Sequence, residues 1–281
     1  MAAPSAPLSL RAVSVEAMQR LDDEAVRTLG FPRLLLMAQA GCAVADAVAK
    51  LHPEPAECVV CCGMGYNGGD GLCAAWHLIR RGYRPRIVLT GRRQDFKGEP
   101  AVFARVVEAF QMPWREAVSD EALADIQGWL RSCGVILDAL FGIGLNGPVR
   151  PPAARLIAMI NEARRPVVAI DVPSGLDGNT GAPLGVAVHA TVTVTFGAPK
   201  RGLLTAQGSS YTGRLLVDGL GMPDWLIHRY ATARYGGGQV RQGLPLRHPA
   251  VRPRRRAPTT SGRSSPAGGG GGPRLRVTRR T

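Results

Sequence analysis

Residues 58–71, CVVCCGMGYNGGDG, place a short apolar run directly before a glycine-rich segment. A run of apolar side chains without alternation is typical of a parallel strand that is covered on both faces. Glycines let the backbone approach a phosphate closely, and a helix that follows directs unpaired N–H groups at it. We therefore predict a strand over 58–62, an anion-binding loop over 63–71 and a helix over 69–82.

The same alternation continues on both sides of this segment. Further apolar runs predict strands at 86–90, 135–140, 167–172, 191–196 and 215–217. The stretches between them are long enough for crossover helices at 99–110, 120–131 and 152–163. Upstream, Ser14 is placed to cap a helix that stops at Gly30, and a second helix is expected to begin near Pro32. We predict an α/β fold, a three-layer α/β/α sandwich with a Rossmann-like, mostly parallel sheet.

The formal charge of +14 is concentrated at one end of the chain. Residues 225–281 contain thirteen Arg and no Asp, Glu or Lys, so the remainder is close to neutral. We expect one domain over 1–229 and a disordered Arg/Gly/Pro-rich tail over 230–281. A cytoplasmic protein is expected, without membrane insertion, because no apolar run approaches the roughly 20 residues that span a bilayer. Nucleic acid is not an expected partner.

Six cysteines do not suggest a metal or redox site. Cys58 and Cys61 have C-x-x-C spacing, but they lie in a predicted strand, where an odd offset directs side chains to opposite faces. We expect small buried thiols, which suit a reducing compartment.

Two more predicted strands end in a carboxylate. Asp138 precedes the glycine-rich loop FGIGLNGP at 141–148, and Asp171 precedes Pro173, Ser174 and Gly175. Parallel strands present their carboxyl ends at one edge of a sheet, where such folds bind ligands. Two carboxylates beside Asn67 and Ser174 form an all-oxygen set, which suits a hard cation rather than zinc. The alternative is that both carboxylates only cap loops.

Together these motifs resemble the YjeF N-terminal family, the NAD(P)H-hydrate epimerases. The family motifs are similar to the glycine segment, to DALFGIG at 138–144 and to DVPSGLD at 171–177, within a resemblance that spans about residues 13–227. The resemblance implies that Asn67, Asp138 and Ser174 bind a potassium ion. It also implies substrate contacts from Tyr66, Asn67, Gly68, Gly69, Asp70, Gly142, Ile143, Gly144, Leu145, Asn146, Gly147, Pro148 and Asp171. Tyr66 departs from the family, which usually has Asn there.

The implied reaction interconverts the R and S forms of hydrated NADH and NADPH, called NAD(P)HX, in nicotinamide cofactor repair. The implied functional partner is an NAD(P)H-hydrate dehydratase, which bacterial members commonly carry as a second domain, and a homodimer is an assembly to test. The tail has neither the length nor the composition of that domain. The sequence therefore resembles a truncated or frameshifted relative of the bifunctional epimerase/dehydratase.

The chemistry requires one acid/base group and no redox partner. The substrate hydroxyl lies beside the ring nitrogen, so inversion proceeds through loss of hydroxide to an iminium or through ring opening to an aldehyde. Asp171 is the first candidate for this group and Lys200 the second. Two rival functions stay open: an NAD(P)-dependent oxidoreductase, disfavoured because no acid ends the second strand near residues 89–93, and a catalytically inactive nucleotide-binding protein. Ser174 lies outside a G-x-S-x-G motif, which excludes a typical serine hydrolase.

Overall fold

The computed structural model describes residues 10–117, 119–231 and 233–235. The predicted tail therefore lies outside the described residues from residue 236 onward. The described strands are β1 (Leu10–Ala12), β2 (Glu57–Cys62), β3 (Arg84–Leu89), β4 (Trp114–Glu116), β5 (Val135–Ala139), β6 (Val167–Ile170), β7 (Val192–Phe196), β8 (Arg214–Asp218) and β9 (Ala233–Tyr235). The described α-helices are α1 (Val15–Arg27), α2 (Arg33–Leu51), α3 (Tyr66–Ile79), α4 (Gly98–Ala109), α5 (Asp120–Ser132), α6 (Ala153–Glu162), α7 (Ala206–Thr212) and α8 (Asp224–Tyr230).

Seven strands form one sheet in the order β4-β3-β2-β5-β6-β7-β8, and every neighbouring pair is parallel. The strand order reverses between β2 and β5, because the chain builds outward from β2 to β4 and then returns to the other side of β2. Such a reversal opens a crevice at the carboxyl ends of the two strands, where α/β sheets bind ligands. The predicted Rossmann-like parallel sheet is confirmed.

Alternate side chains of each central strand enter different cores, as the pleat requires. Val60 packs in the core beneath α1 to α4, whereas Val59 packs in the core beneath α5 and α6. Cys58 and Cys61 divide between the same two cores, so the prediction that they face apart is confirmed. All six cysteines are free thiols. The sheet is covered on both faces, which gives the expected three layers.

The first two helices lie where the sequence predicts them. The Ser14 hydroxyl accepts a hydrogen bond from the Ala17 N–H at 3.1 Å and caps α1. Pro32 is the N-cap of α2, one position before the first helical residue. By length and composition α2 is also the one helix of the described residues that could cross a membrane. Its buried side chains pack in the core of the domain.

Four differences separate prediction and structure. Helix α3 begins at Tyr66, so most of the glycine segment is helical and the predicted loop over 63–71 is wrong beyond Gly65. Strand β6 ends at Ile170, because Asp171 adopts a positive φ of 68°. The short strand β4 and helices α7 and α8 were not predicted. Strands β1 and β9 form a separate antiparallel pair.

Candidate active site

A cavity of about 620 Å³ opens at the carboxyl edge of the sheet, at the reversal between β2 and β5. Its floor consists of residues that follow β2, β5 and β6. One face of α1 and the first turns of α2 form its other walls. A volume of this size is in the range of sites that hold a small molecule or part of a nucleotide.

The N-terminus of α3 lies against the floor of this cavity. The helix packs so closely on the preceding loop that a Cβ at Gly68 would lie 1.8 Å from the Gly63 carbonyl oxygen. Only glycine permits this approach, which brings Gly65, Tyr66 and Asn67 to the cavity. The helix N-terminus carries unpaired N–H groups and a partial positive charge, so it favours an anionic ligand group.

Asn67 is the described residue of the cavity with unsatisfied buried polar atoms. Its Oδ1 and Nδ2 atoms are buried, and neither has a hydrogen-bond partner. A Cβ at Gly142 would lie 3.2 Å from Asn67 Oδ1 and 2.9 Å from Asp171 Oδ2. The missing side chain of Gly142 therefore leaves room between an amide and a carboxylate. Buried polar groups are rarely left unpaired, so this position indicates a ligand contact.

Asp138 is fully buried at the end of β5 and is bonded to Ser174 in two ways. The Ser174 N–H donates to Oδ2 at 2.8 Å, and the Ser174 hydroxyl donates to Oδ1 at 2.5 Å. The Leu140 N–H adds a third bond at 3.3 Å. Burial raises the pKa of Asp138 to about 6, although these hydrogen bonds oppose the rise. A carboxylate with no cation beside it in the described residues suits an added positive ion.

Asp171 and Lys200 form a buried ion pair at the edge of the cavity. The Lys200 side chain is 1% exposed, and its Nζ donates to Asp171 Oδ1, to Thr195 Oγ1 at 3.0 Å and to the Phe196 carbonyl at 3.0 Å. These three bonds use all the N–H groups of the ammonium. The Ile143 N–H donates to the other oxygen of Asp171 at 3.3 Å.

The backbone of Asp171 is in the left-handed region, which costs free energy for a residue other than glycine. It is held there by two hydrogen bonds: its own N–H donates to Val194 O at 2.7 Å, and the Val172 N–H donates to Ile170 O at 2.9 Å. Outliers of this kind concentrate at functional sites. The turn directs the carboxyl group into the cavity rather than along the strand.

Three further carboxyl groups line the cavity, those of Asp22, Asp23 and Asp70, and they were not all anticipated. Burial raises the pKa of Asp22 to about 6, the Lys200 charge opposes the rise and the Asp171 charge adds to it. Burial raises the pKa of Asp70 well above its usual value, with added repulsion from Asp171 and Asp22. Asp70 belongs to the predicted contact set. Asp22 does not, because nothing in the sequence connects a residue of α1 with the sheet edge.

The structure brings together part of the predicted site. The predicted residues that line the cavity are Tyr66, Asn67, Asp70, Gly142, Ile143, Gly144, Asp171 and Lys200. Gly68 and Gly69 are buried within α3, and Asp138 and Ser174 lie behind the cavity wall. The remaining predicted contact residues of this loop do not line the cavity; they are Leu145, Asn146, Gly147 and Pro148. No group of three or more His, Cys, Asp and Glu side chains that could hold a metal occurs in the described part of the chain.

Comparison with known proteins agrees with this geometry. Residues 33–202 match the family described as YjeF-related protein N-terminus. An NAD(P)H-hydrate epimerase of Limosilactobacillus fermentum is 40% identical over 207 residues, which cover 74% of this chain and 95% of that protein. A bifunctional NAD(P)H-hydrate repair enzyme of Coxiella burnetii is 42% identical over 195 residues, 69% of this chain, but only 38% of that enzyme is matched.

A solved structure shows the same fold. The crystal structure of the yeast protein YNL200c superposes with a TM-score of 0.70 and 26% identity, and the match covers 81% of this chain and 96% of that one. The matched region of the family includes the glycine segment, both strand-end acids and Lys200. The chain therefore belongs to the family of YjeF-related protein N-termini.

Proposed function

We propose that this protein is an NAD(P)H-hydrate epimerase, an isomerase that interconverts the R and S forms of hydrated NADH and NADPH in cofactor repair. The observation that carries the proposal is Asp171. Its carboxyl group is held on a strained backbone at the end of β6, faces a cavity of nucleotide scale and is paired with a buried lysine. The relatives named above supply the substrate class.

Asp171 is the proposed acid/base group. The substrate carbon bears a hydroxyl beside the ring nitrogen, so its configuration is lost once the C–O or ring C–N bond opens. A carboxylate at that carbon accepts a proton from the hydroxyl or from the water that adds back, a contribution of about 10²–10⁴ in rate. Lys200 is assigned as a positioning residue rather than the reacting acid, because all three of its N–H groups are already bonded.

The α3 N-terminus is the proposed contact for the nucleotide phosphates. Gly65, Tyr66 and Asn67 present this helix end to the cavity, and a helix N-terminus favours phosphate. Arg33 adds a positive charge at the same wall, where its guanidinium lies 5.6 Å from the centre of the Tyr66 ring. The tyrosine therefore offers a ring surface where relatives usually have an amide.

A potassium ion is the proposed cofactor, bound by Asn67, Asp138 and Ser174. These residues fit a monovalent hard cation: the Asn67 oxygen has no partner, and the Asp138 charge is buried without a counterion in the described residues. All of these ligand atoms can be oxygen, and oxygen ligands suit a hard cation such as potassium better than a softer transition metal. The bound ion would supply a fixed positive charge that offsets the buried Asp138 carboxylate, and Ser174, which accepts a hydrogen bond from the Phe141 N–H at 2.9 Å, would hold the loop after β5 in place.

Three further properties are proposed with this function. The match covers 38% of the bifunctional repair enzyme of Coxiella burnetii, and we propose an NAD(P)H-hydrate dehydratase as the functional partner. The enzyme would act in the cytoplasm. A homodimer is the assembly to test by sedimentation.

The experiment uses the purified full-length chain. R-NADHX is incubated with an S-specific dehydratase in excess, and the return of NADH absorbance measures epimerisation. We expect the chain to accelerate recovery well beyond the spontaneous rate, and Asp171→Asn to lose that acceleration by about 10²–10⁴-fold. Recovery at the spontaneous rate with the folded wild-type chain would remove the proposal.

A further inference from the structure

Asp22 is a carboxyl group of the cavity that the reaction proposed above does not use. It lies on α1, one turn after Met18, which lines the same cavity, and it has no hydrogen bond or ion pair with any described residue. The side chain is partly buried and belongs to the cavity lining. A polar group in this position is available to a ligand.

The position of Asp22 is fixed by the way in which α1 is attached to the site. The Val13 N–H donates to Pro199 O at 3.0 Å, and the Arg201 N–H donates to Val13 O at 2.9 Å, so the segment before α1 pairs with the backbone on both sides of Lys200. The first turn is tied as well, because the Val15 N–H donates to Asn179 Oδ1 at 2.9 Å. These bonds anchor the helix to the wall that holds the ion pair.

Charged groups from several structural elements lie near Asp22. Lys200 and Asp171 lie on the sheet edge, Asp70 on α3, Arg33 on α2 and Asp23 on its own helix. Arg33 is engaged with Asp23, and Lys200 with Asp171. Asp22 thus shares its surroundings with two ion-paired carboxylates and one buried acid, while no cation of the described residues is bonded to it. Carboxyl pairs whose surroundings differ in this way perform acid and base roles in the same site.

The geometry points to Asp22 as a second catalytic carboxyl group, which protonates the leaving hydroxyl of the substrate while Asp171 accepts a proton from the water that replaces it. This inference rests on the proposed epimerase function. It also selects the iminium route over ring opening. A proton donor and a proton acceptor on different walls of the cavity would serve departure of the hydroxyl from one face of the ring and addition of water at the other.

The steps balance as follows. The substrate C–O bond breaks while the ring nitrogen lone pair forms a C=N bond, and the departing oxygen takes the proton of the Asp22 carboxylic acid and leaves as water. Water then adds to the other face of the iminium and gives one proton to the Asp171 carboxylate. Proton exchange with solvent returns both acids to their starting forms. The reverse direction exchanges their roles.

The pKa of Asp22, raised by burial to about 6, suits this task, since the group is protonated at slightly acid pH and ionises near neutrality. The acid form is the donor, so wild-type kcat should fall as pH rises through about 6. Burial also raises the pKa of Asp70 well above its usual value, and repulsion from Asp171 and Asp22 adds to the rise. Asp22 is therefore an acid of the cavity lining that changes state in the working range of pH, whereas Asp138, whose pKa is also raised to about 6, does not line the cavity.

The experiment measures the pH profile of kcat for wild type, Asp22→Asn, Asp70→Asn and Asp125→Asn, with the spontaneous rate subtracted. Asp125 is an exposed aspartate on α5 that pairs with Arg115, so its variant controls for the loss of one surface charge. We expect Asp22→Asn to lower kcat by about 10²–10⁴-fold, to leave KM nearly unchanged and to lose the fall near pH 6. Its melting temperature should not decrease, because Asn mimics the neutral acid.

A second readout follows the oxygen. Epimerisation in water enriched in oxygen-18 should place one solvent oxygen in the substrate hydroxyl per inversion. Retention of the original oxygen would overturn the departure step, and an unchanged rate and pH profile in Asp22→Asn would overturn the assignment. Loss of the pH 6 fall in Asp70→Asn alone would transfer the role to Asp70. An inactive wild type would instead refute the proposed function.

Discussion

Replacing either partner of the buried Asp171–Lys200 ion pair should lower the free energy of unfolding by several kcal/mol. Replacing both partners should lower it by less than the sum of the two single effects. Lys200→Met removes the ammonium and leaves the Asp171 carboxylate buried without its cation, while Thr195 and Phe196 lose a donor. Asp171→Asn leaves the charge of Lys200 buried. Asn tolerates the left-handed conformation as well as Asp does, so this variant does not add backbone strain.

The magnitude follows from burial. The two side chains are 1% and 11% exposed, so solvent screens their interaction weakly. Removal of one partner from such a pair costs about 3–5 kcal/mol, because the other charge is left uncompensated. In a domain of this size each kcal/mol lowers Tm by roughly 2–4 °C. Either single variant should therefore melt about 6–20 °C below wild type.

The assay is a double-mutant cycle by urea unfolding and calorimetry. The double variant should be about 1–3 kcal/mol more stable than additivity predicts, since neither charge is stranded. Arg115→Met and Asp125→Asn form the control cycle, because that pair is about half exposed and should contribute at most about 1 kcal/mol. A cost below about 1 kcal/mol for Lys200→Met, or additivity within about 0.5 kcal/mol, would refute a coupled buried pair.

Three other predictions concern the cation, the loop after β5 and the end of the chain. Asp138→Asn keeps the size of the side chain but removes its charge, so the potassium concentration that gives half-maximal activity should rise at least about tenfold. Unchanged potassium dependence would show that Asp138 is purely structural. Gly142→Ala should lower kcat several-fold, because its Cβ would lie 2.9 Å from a catalytic carboxylate oxygen. Gly128→Ala, which meets nothing within 4 Å, is the control and should keep full activity in the same assay. A chain that ends at residue 235 should keep its Tm and activity, since β9 still pairs with β1; a Tm lower by several degrees would show that 236–281 pack on the domain.

The sheet was predictable because its strands are short apolar runs and its crossovers leave little choice of topology. Strand-end chemistry was predictable for the same reason, since Asp138 and Asp171 end two buried runs and parallel strands share one edge. The short strand β4 escaped prediction because two of its three residues, Arg115 and Glu116, are charged and the strand lies at the edge of the sheet, so it forms no apolar run.

The contribution of α1 could not be predicted from the sequence. Asp22 reads as one of several charged residues on an amphipathic helix, and only the tertiary pairing of Val13 with Lys200 brings it to the cavity. The start of α3 was misplaced for a local reason, because three glycines disfavour a helix. Close packing of Gly68 on Gly63 and of Gly71 on Ala139 outweighs that cost, since any Cβ there would overlap its neighbour.

The charge of the proposed reaction intermediate explains why several aspartates are grouped at the cavity. Asp22, Asp70, Asp138 and Asp171 lie in or directly behind the cavity, and within the described residues Lys200 is the one cation bonded to any of them. Protons on the buried acids and a potassium ion near Asp138 would offset this excess in the resting site, and transfer of the Asp22 proton to the leaving hydroxyl would then restore one negative charge in the cavity. Loss of hydroxide turns a neutral substrate ring into a cationic iminium. A negative site binds that cation better than the neutral ground state, and such differential binding is what accelerates a reaction.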